Sequence, residues 1–382
     1  MLQTFDFNST IRVIFGENEL ARLGEFVKEL GGRRMLLVTD RGLITSGHVE
    51  KALLNLAREN LTSFIFDQIE ENPTTVHVEK GTAFAHEHAV DFIIALGGGS
   101  VMDCAKGINF LLTNGGKIED YWGFGKATKP MLPSIGIPTT AGTGSEAQSY
   151  ALITQEVTHR KMACGDLKAR FRVVILDPTL LASVPKKVAA IAGIDAIAHA
   201  LESFVSTQAH SIARMFSKEA WHLLSKNFIP SLQNSNDLSI LAEMLLGAHF
   251  AGHAIENSML GAAHACANPV TAKYGVTHGI AVGLMLPHVI RFNRTVAGED
   301  YAALLATVGR SRMQQTNGSE TLTEMIKEFL TLGELPLRLR DCHVDEKDLP
   351  VLAQAALQEW TGKFNPRTLT EADFFEIYAQ AF

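Results

Sequence analysis

The chain has 382 residues, long enough for two domains that each bury a core. Hydrophobic residues make up 46% and charged residues 20%, as in an ordinary globular enzyme, and a net charge of −7 without a basic block argues against nucleic acid as a partner. We expect a cytoplasmic protein with reduced thiols and no membrane partner. The four cysteines are scattered, the N-terminus lacks the basic start of a signal peptide, and no apolar run approaches the length that spans a bilayer.

The first half of the chain alternates apolar, strand-like runs with helix-like stretches. Predicted strands cover 4–7, 12–15, 35–39, 62–67, 92–96 and 133–140, and predicted helices cover 18–30, 46–60 and 75–89. Strands that are separated by helices of ten or more residues predict a parallel, doubly wound α/β sheet. Because ligands bind at the carboxyl ends of strands in such a sheet, the polar residues there are candidates for a binding site.

The pattern changes after the segment DPTLLASVP (177–185). From Lys186 onward it is helical throughout and rich in Ala, Leu and Met. Pro178 and Pro185 lie where the pattern changes, so we place a domain boundary near 180–185. The expected organisation is an α/β domain of residues 1–181 followed by an all-helical domain of residues 182–382.

Two glycine-rich loops follow predicted strands. The first, GGGSVMD (97–103), comes directly after the strand at 92–96 and opens a helix, where free N–H groups and the helix dipole favour a phosphate. Ser100 and Asp103 have the spacing of a capping box, which would define the helix start. A simple glycine turn into a capped helix is the alternative interpretation.

The second loop, PTTAGTGSE (138–146), fits the pattern G-x-G-x-x-A. It comes late in the chain, however, and no acidic residue ends a strand about 20 residues later, so we do not assign it the dinucleotide fingerprint. Its hydroxyl groups, on Thr139, Thr140 and Thr143, suit ribose and base edges instead.

Asp40 ends the predicted strand at 35–39 and is a candidate to hold an adenosine ribose diol. A carboxylate at this position would repel a 2′-phosphate, which favours NAD over NADP. A role as a turn or cap residue before Arg41 explains the same position equally well.

Four residues in two stretches form a candidate metal site. Asp195 and His199 are four residues apart in a helical pattern, so both side chains lie on one face. His264 follows a run of small residues and His278 precedes an apolar stretch, so both imidazoles are expected to be buried and to need partners. One carboxylate and three imidazoles suit a divalent first-row metal ion. An ordinary hydrogen-bonded pair is the alternative for any two of them. Glu202, three residues after His199, could orient that imidazole, and exposure to solvent is the alternative for Glu202.

The motifs GGGSxxD, PTTAGTGSE, DP, GxDAxxHxxE, H-x13-HG and NPR (365–367) occur in an order that resembles the iron-dependent, or group III, alcohol dehydrogenases. The resemblance covers essentially the whole chain. It implies a dehydroquinate-synthase-like fold, with an α/β N-terminal dinucleotide-binding domain and an all-α C-terminal metal-binding domain. It also implies metal-dependent, NAD-linked hydride transfer between a small primary alcohol, or its aldehyde, and a nicotinamide cofactor, in a homodimer or higher homo-oligomer.

The resemblance also assigns roles to individual residues. The metal ligands, which form the catalytic centre, are Asp195, His199, His264 and His278. The pyrophosphate loop contains Gly97, Gly98, Gly99 and Ser100, with Asp103 in the same motif. The base and ribose contacts are Asp40, Asn72, Thr139, Thr140 and Thr143, with Lys161 near the nicotinamide side.

Two departures from the family's pattern lie near the expected substrate side. Asn268 stands where many relatives carry a second histidine, four residues after the one that matches His264, so any proton relay must differ or run through water. The segment before DP lacks its usual proline and reads KARFRVVILDP, which predicts a reshaped loop. Four aromatic residues suggest either an apolar-walled pocket for a short alcohol or plain core, namely Tyr121, Trp122, Phe124 and Tyr150.

Two other functions fit parts of the sequence. A lyase or cyclase of the dehydroquinate-synthase type would share the fold, NAD and the metal, but it needs a phosphate pocket lined by Lys and Arg. The ligand region AGHAIENSMLGAAHACANP contains neither residue. A non-catalytic metal- or nucleotide-binding protein would not need the complete quartet and both glycine-rich loops together.

Overall fold

The computed structural model describes residues 4–309 and 318–382. The chain divides into two compact units. An α/β unit consists of Asn8–Thr140 and Gly144–Val184, and a helical unit consists mainly of Pro185–Phe382 together with Ala141–Thr143. The second glycine-rich loop therefore contributes residues to both units.

Apolar parallel strands form the core of the α/β unit. Met35–Val38 and Phe92–Leu96 are fully buried. Continuous apolar runs of this kind are typical of parallel strands that are covered by helices on both faces, and the predicted parallel α/β sheet is confirmed. The strands of this unit are β1 (Arg12–Phe15), β2 (Arg34–Val38), β3 (Thr62–Phe66), β4 (Phe92–Gly97), β5 (Gly123–Phe124), β6 (Ser134–Pro138), β7 (Tyr150–Thr154), β8 (Lys161–Gly165) and β9 (Val173–Leu176). Its helices are α1 (Leu23–Glu29), α2 (Arg41–Thr45), α3 (His48–Arg58), α4 (Thr75–Glu87) and α5 (Gly99–Asn114).

The main sheet has six parallel strands in the order β1-β9-β6-β4-β2-β3. From β2 the chain passes to β3 on one side and then returns to β4 on the other side, so a topological switch point lies between β2 and β4. Doubly wound sheets bind their ligands outside the carboxyl ends of the strands at such a point. Asp40 follows β2, the GGGS motif begins at the end of β4, and Thr139 follows β6, so these candidates lie at one edge of the sheet.

Four strands differ from the sequence prediction. Strands β5, β8 and β7 form a second, three-stranded sheet that was not predicted. The expected loop before Asp177 is strand β9, which pairs with β1 and β6 in the main sheet. That prediction was wrong because Val173–Leu176 is wholly apolar and buried, as a strand in a parallel sheet requires. The predicted strand at 4–7 was also wrong, because the chain there is irregular.

Long helices form the second unit, as the sequence pattern predicts for the described residues beyond Lys186. Their core side chains are mainly Ala, Leu and aromatic residues. Trp221 is fully buried and its indole N–H donates to the carbonyl oxygen of Leu304 at 3.0 Å. These helices are α6 (Lys186–Val205), α7 (Ser211–Gln233), α8 (Leu238–Ser258), α9 (Ala262–Tyr274), α10 (His278–Ala306), α11 (Gly318–Leu332), α12 (Leu349–Gln358) and α13 (Glu371–Ala381).

Two of these helices, α6 and α8, are long and apolar enough to cross a membrane by length and composition alone. The expectation that no apolar run approaches that length was therefore wrong. Of their most apolar 18-residue windows, 78% and 61% are buried inside the structure. Burial in the core of a large domain explains the same composition, so the two helices are weak evidence for a membrane span.

Candidate metal centre and cofactor loops

Three buried side chains of the helical unit converge on one point. Asp195 and His199 lie one turn apart on α6, and His264 is the third residue of α9. His199 Nε2 and His264 Nε2 are each 3.6 Å from Asp195 Oδ1. One ligand atom from each of the three residues lies within 4.8 Å of the others. The helical spacing of four residues and the packing of α9 together create this cluster.

His278 lies beside the cluster, at the first position of α10. The chain reaches it through Gly275, whose φ of 65° is a left-handed conformation that glycine adopts without strain and that ends α9. The ring centroids of His264 and His278 are 5.4 Å apart. The structure thus groups three of the four predicted metal ligands tightly and places the fourth next to them.

The donor set fits a divalent ion. Asp195 Oδ1 and His264 Nε2 are buried without a hydrogen-bond partner among the described residues. Leaving such atoms unsatisfied in a core is costly unless something else fills the site. Metal–ligand bonds of about 2.1 Å at a tetrahedral angle separate ligand atoms by about 3.4 Å, close to the 3.6 Å found between Asp195 Oδ1 and each imidazole.

The protonation states of these groups follow from their surroundings. Burial raises the pKa of Asp195, but the imidazoles of His199, His278 and His264 outweigh it and hold that pKa below its usual range. Burial lowers the pKa of His199 to about 4, so its imidazole is neutral at neutral pH. For His264, burial lowers the pKa, but the carboxylates of Glu202 and Asp195 raise it to about 9. The carboxylate and the neutral His199 are in the states in which such groups bind metals.

Glu202 fixes the imidazole of His264. His264 Nδ1 donates to Glu202 Oε2 at 2.5 Å, and the backbone N–H of Ala263 donates to Glu202 Oε1 at 2.6 Å. The expectation that Glu202 orients His199, three residues earlier on the same helix, was wrong. The side chain instead reaches across to α9, where its bond to Nδ1 leaves Nε2 directed toward Asp195.

The first glycine-rich loop lies at the end of β4. Gly98 is the residue before α5, without a side-chain cap, and Ser100 is already inside the helix. The predicted capping box was therefore wrong, because Asp103 turns instead toward the second loop. The backbone N–H of Thr139 donates to the carbonyl of Gly97 at 3.2 Å. A Cβ atom added at Gly98 would lie 3.5 Å from Thr140 Oγ1, so the two loops lie side by side.

Three other predicted cofactor residues are joined by hydrogen bonds. The backbone N–H of Asn72 donates to Ser100 Oγ at 3.2 Å, and Lys161 Nζ donates to Asn72 Oδ1 at 3.5 Å. Asn72 has a φ of 56°, a left-handed conformation that asparagine tolerates better than most residues. Thr143 belongs to the helical unit, unlike Thr139 and Thr140.

Asp40 caps the short helix α2. Its Oδ1 accepts the backbone N–H of Leu43 at 3.1 Å, which is the cap role that the sequence left open. The side chain is only partly buried and lies just beyond the end of β2. A cap needs one carboxylate oxygen, so capping and binding of a ribose hydroxyl are compatible.

A buried lysine, Lys106, was missed by the sequence analysis. Its Nζ donates to the carbonyl oxygens of Ser145 and Tyr150, each at 2.7 Å, and to Ser145 Oγ at 2.9 Å. Ser145 Oγ donates in turn to Asp103 Oδ1 at 2.5 Å. The network ties α5 to the end of the second glycine-rich loop. The sequence signal was an Asp and a Lys three residues apart inside an apolar helix.

The four aromatic residues named in the sequence analysis do not share one environment. Tyr121 is buried against Phe110, with ring centroids 5.0 Å apart. Trp122 is exposed and carries the guanidinium of Arg160 over its ring. Phe124 is exposed and contacts Tyr150, with centroids 5.6 Å apart. The first residue is plain core, so the group as a whole is not a pocket wall.

Comparison with known proteins identifies the family. The profile of iron-containing alcohol dehydrogenase matches residues 10–178, and that of the C-terminal part of the Fe-containing alcohol dehydrogenase family matches residues 189–382. The chain is 32% identical to 1,3-propanediol dehydrogenase of Citrobacter freundii, covering 96% of each protein. It is 30% identical to NAD-dependent methanol dehydrogenase of Bacillus methanolicus, covering 96% of this chain and 97% of that protein.

A crystal structure of 1,3-propanediol oxidoreductase superposes with a TM-score of 0.96 at 32% identity, covering 100% of both chains. The expected dehydroquinate-synthase-like fold, an α/β part followed by a helical part, is thereby confirmed. The chain belongs to the iron-containing alcohol dehydrogenase family, whose members are oxidoreductases that act on alcohols and aldehydes.

Proposed function

We propose that this enzyme transfers a hydride between a small primary alcohol, or its aldehyde, and NAD, with one divalent metal ion per chain. The observation that carries the proposal is the convergence of Asp195, His199 and His264 on one buried point, where Asp195 Oδ1 and His264 Nε2 lack protein partners among the described residues. The relatives named above as alcohol dehydrogenases give the substrate class.

Asp195, His199, His264 and His278 would hold the ion. A carboxylate with imidazoles suits Fe(II), and Zn(II) would also bind such a set. When bound, the ion lowers the pKa of an alcohol and polarises the carbonyl of an aldehyde. The protein's own task is to keep Asp195 ionised, His199 neutral and the His264 ring fixed by Glu202.

NAD would bind at the carboxyl edge of the main sheet. Gly98 and Gly99 leave backbone N–H groups at the start of α5 open to a pyrophosphate, where the helix dipole favours negative charge. Asp103, one turn into α5, links that helix to the second glycine-rich loop by accepting a hydrogen bond from Ser145. The proposed contacts are Asp40, Asn72, Gly97, Gly98, Gly99, Ser100, Thr139, Thr140, Thr143 and Lys161.

We further propose a cytoplasmic enzyme that assembles as a homodimer or higher homo-oligomer, with domains at residues 1–181 and 182–382. The family profiles, which end at residue 178 and resume at residue 189, support a boundary in this interval. Light scattering on purified protein measures the assembly state, and a mass of one chain would contradict this part of the proposal.

The reaction is tested by following NADH formation with a panel of short alcohols, diols and aldehydes. We expect NADH to accumulate in proportion to alcohol consumed, with primary alcohols preferred. A lyase or cyclase with no net oxidation would convert its substrate without accumulating NADH. Absence of NADH formation with every alcohol, together with absence of aldehyde reduction by NADH, would contradict the proposal.

The preference for NAD should depend on Asp40. Asp40→Gly is expected to improve the use of NADP relative to NAD by roughly tenfold or more, since loss of charge repulsion and of a ribose hydrogen bond amounts to at least about 1.4 kcal/mol. Asp40→Asn is the sharper variant, because its amide oxygen can still cap α2 at Leu43 while the charge is removed. Ratios of kcat/KM for the two cofactors measure the effect. If the wild-type enzyme used NAD and NADP equally well, Asp40 would not determine the cofactor preference.

Asn268 should determine the route by which the proton of the alcohol leaves the active site. Its amide donates to Glu359 at 2.8 Å and cannot exchange protons near neutral pH, so release must use water or a cofactor hydroxyl. Asn268→His is expected to add an ionisation near the histidine range to the pH dependence of kcat, with the metal content unchanged. An unaltered pH profile in that variant would show that position 268 takes no part in proton transfer.

A further inference from the structure

A buried pair of asparagines lies at the start of α9, the helix that carries His264. Asn293 on α10 and Asn365 of the NPR motif are almost fully buried. Asn293 Nδ2 donates to Asn365 Oδ1 at 3.0 Å, and Asn365 Nδ2 donates to Asn293 Oδ1 at 2.8 Å. The proposed function does not use either residue. Because each amide both donates to and accepts from the other, neither can rotate without losing two bonds.

The asparagine pair is fixed from both sides. Asn365 Nδ2 also donates to the carbonyl oxygen of Arg367 at 2.6 Å, within its own motif. Its Oδ1 also accepts the backbone N–H of Ala262 at 3.4 Å, which is the first N–H of α9. The amide of Asn365 therefore makes contacts with its own segment, with α10 and with the start of α9.

The start of α9 has no side-chain cap of its own. The residue before the helix is Gly261, so the N–H groups of the first turn need partners from elsewhere. The N–H of Ala262 donates to Asn365 Oδ1, and the N–H of Ala263 donates to Glu202 Oε1. A Cβ atom at Gly261 would lie 3.0 Å from Glu202 Oε1 and 3.2 Å from Asn365 Oδ1, so the two acceptors close around this glycine.

His264 follows immediately in the chain. Its ring is held by Glu202 through Nδ1, and its backbone belongs to the turn that Asn365 and Glu202 hold. We propose that Asn365 and Asn293 are positioning residues that, together with Glu202, set the place of His264 and thereby the affinity of the enzyme for its metal. This inference rests on the proposed metal site, and it adds residues that touch neither the ion nor a substrate.

The test compares metal affinity among variants of the full-length enzyme. Asn365→Ala and Asn293→Ala remove the pair. Asn227→Ala is the matched control, because Asn227 is a similarly buried asparagine of the same unit whose Nδ2 donates to Leu223 O and Glu243 Oε2, on α7 and α8, and not to α9. Affinity for Zn(II) and Fe(II) is measured by competition with a chelator, and the thermal unfolding of each metal-free variant is recorded alongside.

We expect Asn365→Ala and Asn293→Ala to bind Zn(II) and Fe(II) roughly 10- to 100-fold more weakly, as is typical when groups supporting a metal ligand are lost. Asn227→Ala should keep the wild-type affinity even if it unfolds at as low a temperature. Equal affinities of Asn365→Ala and Asn227→Ala would overturn the inference. Absence of metal binding by the wild-type enzyme would instead overturn the proposed function.

Gly261→Ala provides a second route if the asparagine variants fail to fold. The added methyl group presses on Glu202 Oε1 and Asn365 Oδ1 without removing any side-chain group. Its backbone φ of −145° lies outside the left-handed region, but its ψ of −146° lies beyond the extended region that alanine prefers, so the variant also strains the backbone at the start of α9. A reduced metal affinity is expected, and a wild-type affinity in Gly261→Ala would contradict the positioning role.

Discussion

His264→Ala is expected to strip the metal ion from the enzyme and to lower turnover by on the order of a thousandfold or more. The imidazole is buried, its Nε2 lies 3.6 Å from Asp195 Oδ1, and its loss removes one of the four proposed ligands and opens a hole beside the other three, which weakens their hold on the ion. Loss of the ion removes several kcal/mol of charge stabilisation, and about 1.4 kcal/mol is a factor of ten. Metal content per chain and NADH formation are the two measurements.

His288→Ala is a suitable control for that variant. His288 is also a buried histidine of the helical unit, on α10, but it is not among the four predicted ligands. It should lose some stability and keep its metal. Full metal occupancy in His264→Ala would refute the ligand assignment, whereas metal loss in both variants would point to general damage of the helical unit.

Lys106→Met is expected to destabilise the α/β unit by about 3–5 kcal/mol, the usual effect of removing one partner from a buried ion pair. Lys106 is 2% exposed and Asp103 is 8% exposed. Burial raises the pKa of Asp103 and the charge of Lys106 counteracts it, so without the lysine the buried carboxylate is uncompensated. Ser145 also loses its bonds to Nζ, so the second glycine-rich loop keeps only the bond from Ser145 Oγ to Asp103 as its link to α5. We therefore expect NAD binding to weaken by roughly tenfold, or about 1.4 kcal/mol.

The double variant Asp103→Asn with Lys106→Met tests the cause of this loss. It removes both charges, so unfolding in urea should show part of the stability restored relative to Lys106→Met alone. Calorimetric titration with NAD is the companion measurement. If Lys106→Met kept the wild-type stability and the wild-type affinity for NAD, the network of Lys106, Ser145 and Asp103 would contribute to neither property.

The sequence was most informative where one element contains the whole signal. The strands at 35–39 and 92–96 are continuous apolar runs that end in polar or glycine residues, and the structure places strands at Arg34–Val38 and Phe92–Gly97. The unpredicted sheet of β5, β7 and β8 depends on pairing between segments far apart in the chain, which no local pattern specifies. Strand β9 was mistaken for a loop because the resemblance to the family, in which a proline usually precedes DP, was given more weight than the apolar composition of Val173–Leu176.

In the candidate site, too, the local features could be predicted from the sequence and the contacts between distant segments could not. The spacing of Asp195 and His199 puts both on one face of α6, and that placement is visible in the sequence. The approach of His264 depends on how α9 packs against α6, so Glu202 was assigned to the wrong histidine. Lys106 was overlooked for a related reason, since its partners Ser145 and Tyr150 are about 40 residues away and only tertiary structure brings them together.

Removal and return of the metal tests the central claim most directly. The purified enzyme is stripped with a chelator under anaerobic conditions and titrated with Fe(II), while NADH formation from a short primary alcohol and the metal content per chain are measured together. We predict that the stripped enzyme is inactive, that activity returns with Fe(II), and that it saturates at one ion per chain. Full NAD-dependent alcohol oxidation by the metal-free enzyme would contradict the assignment of Asp195, His199, His264 and His278 as its catalytic metal centre.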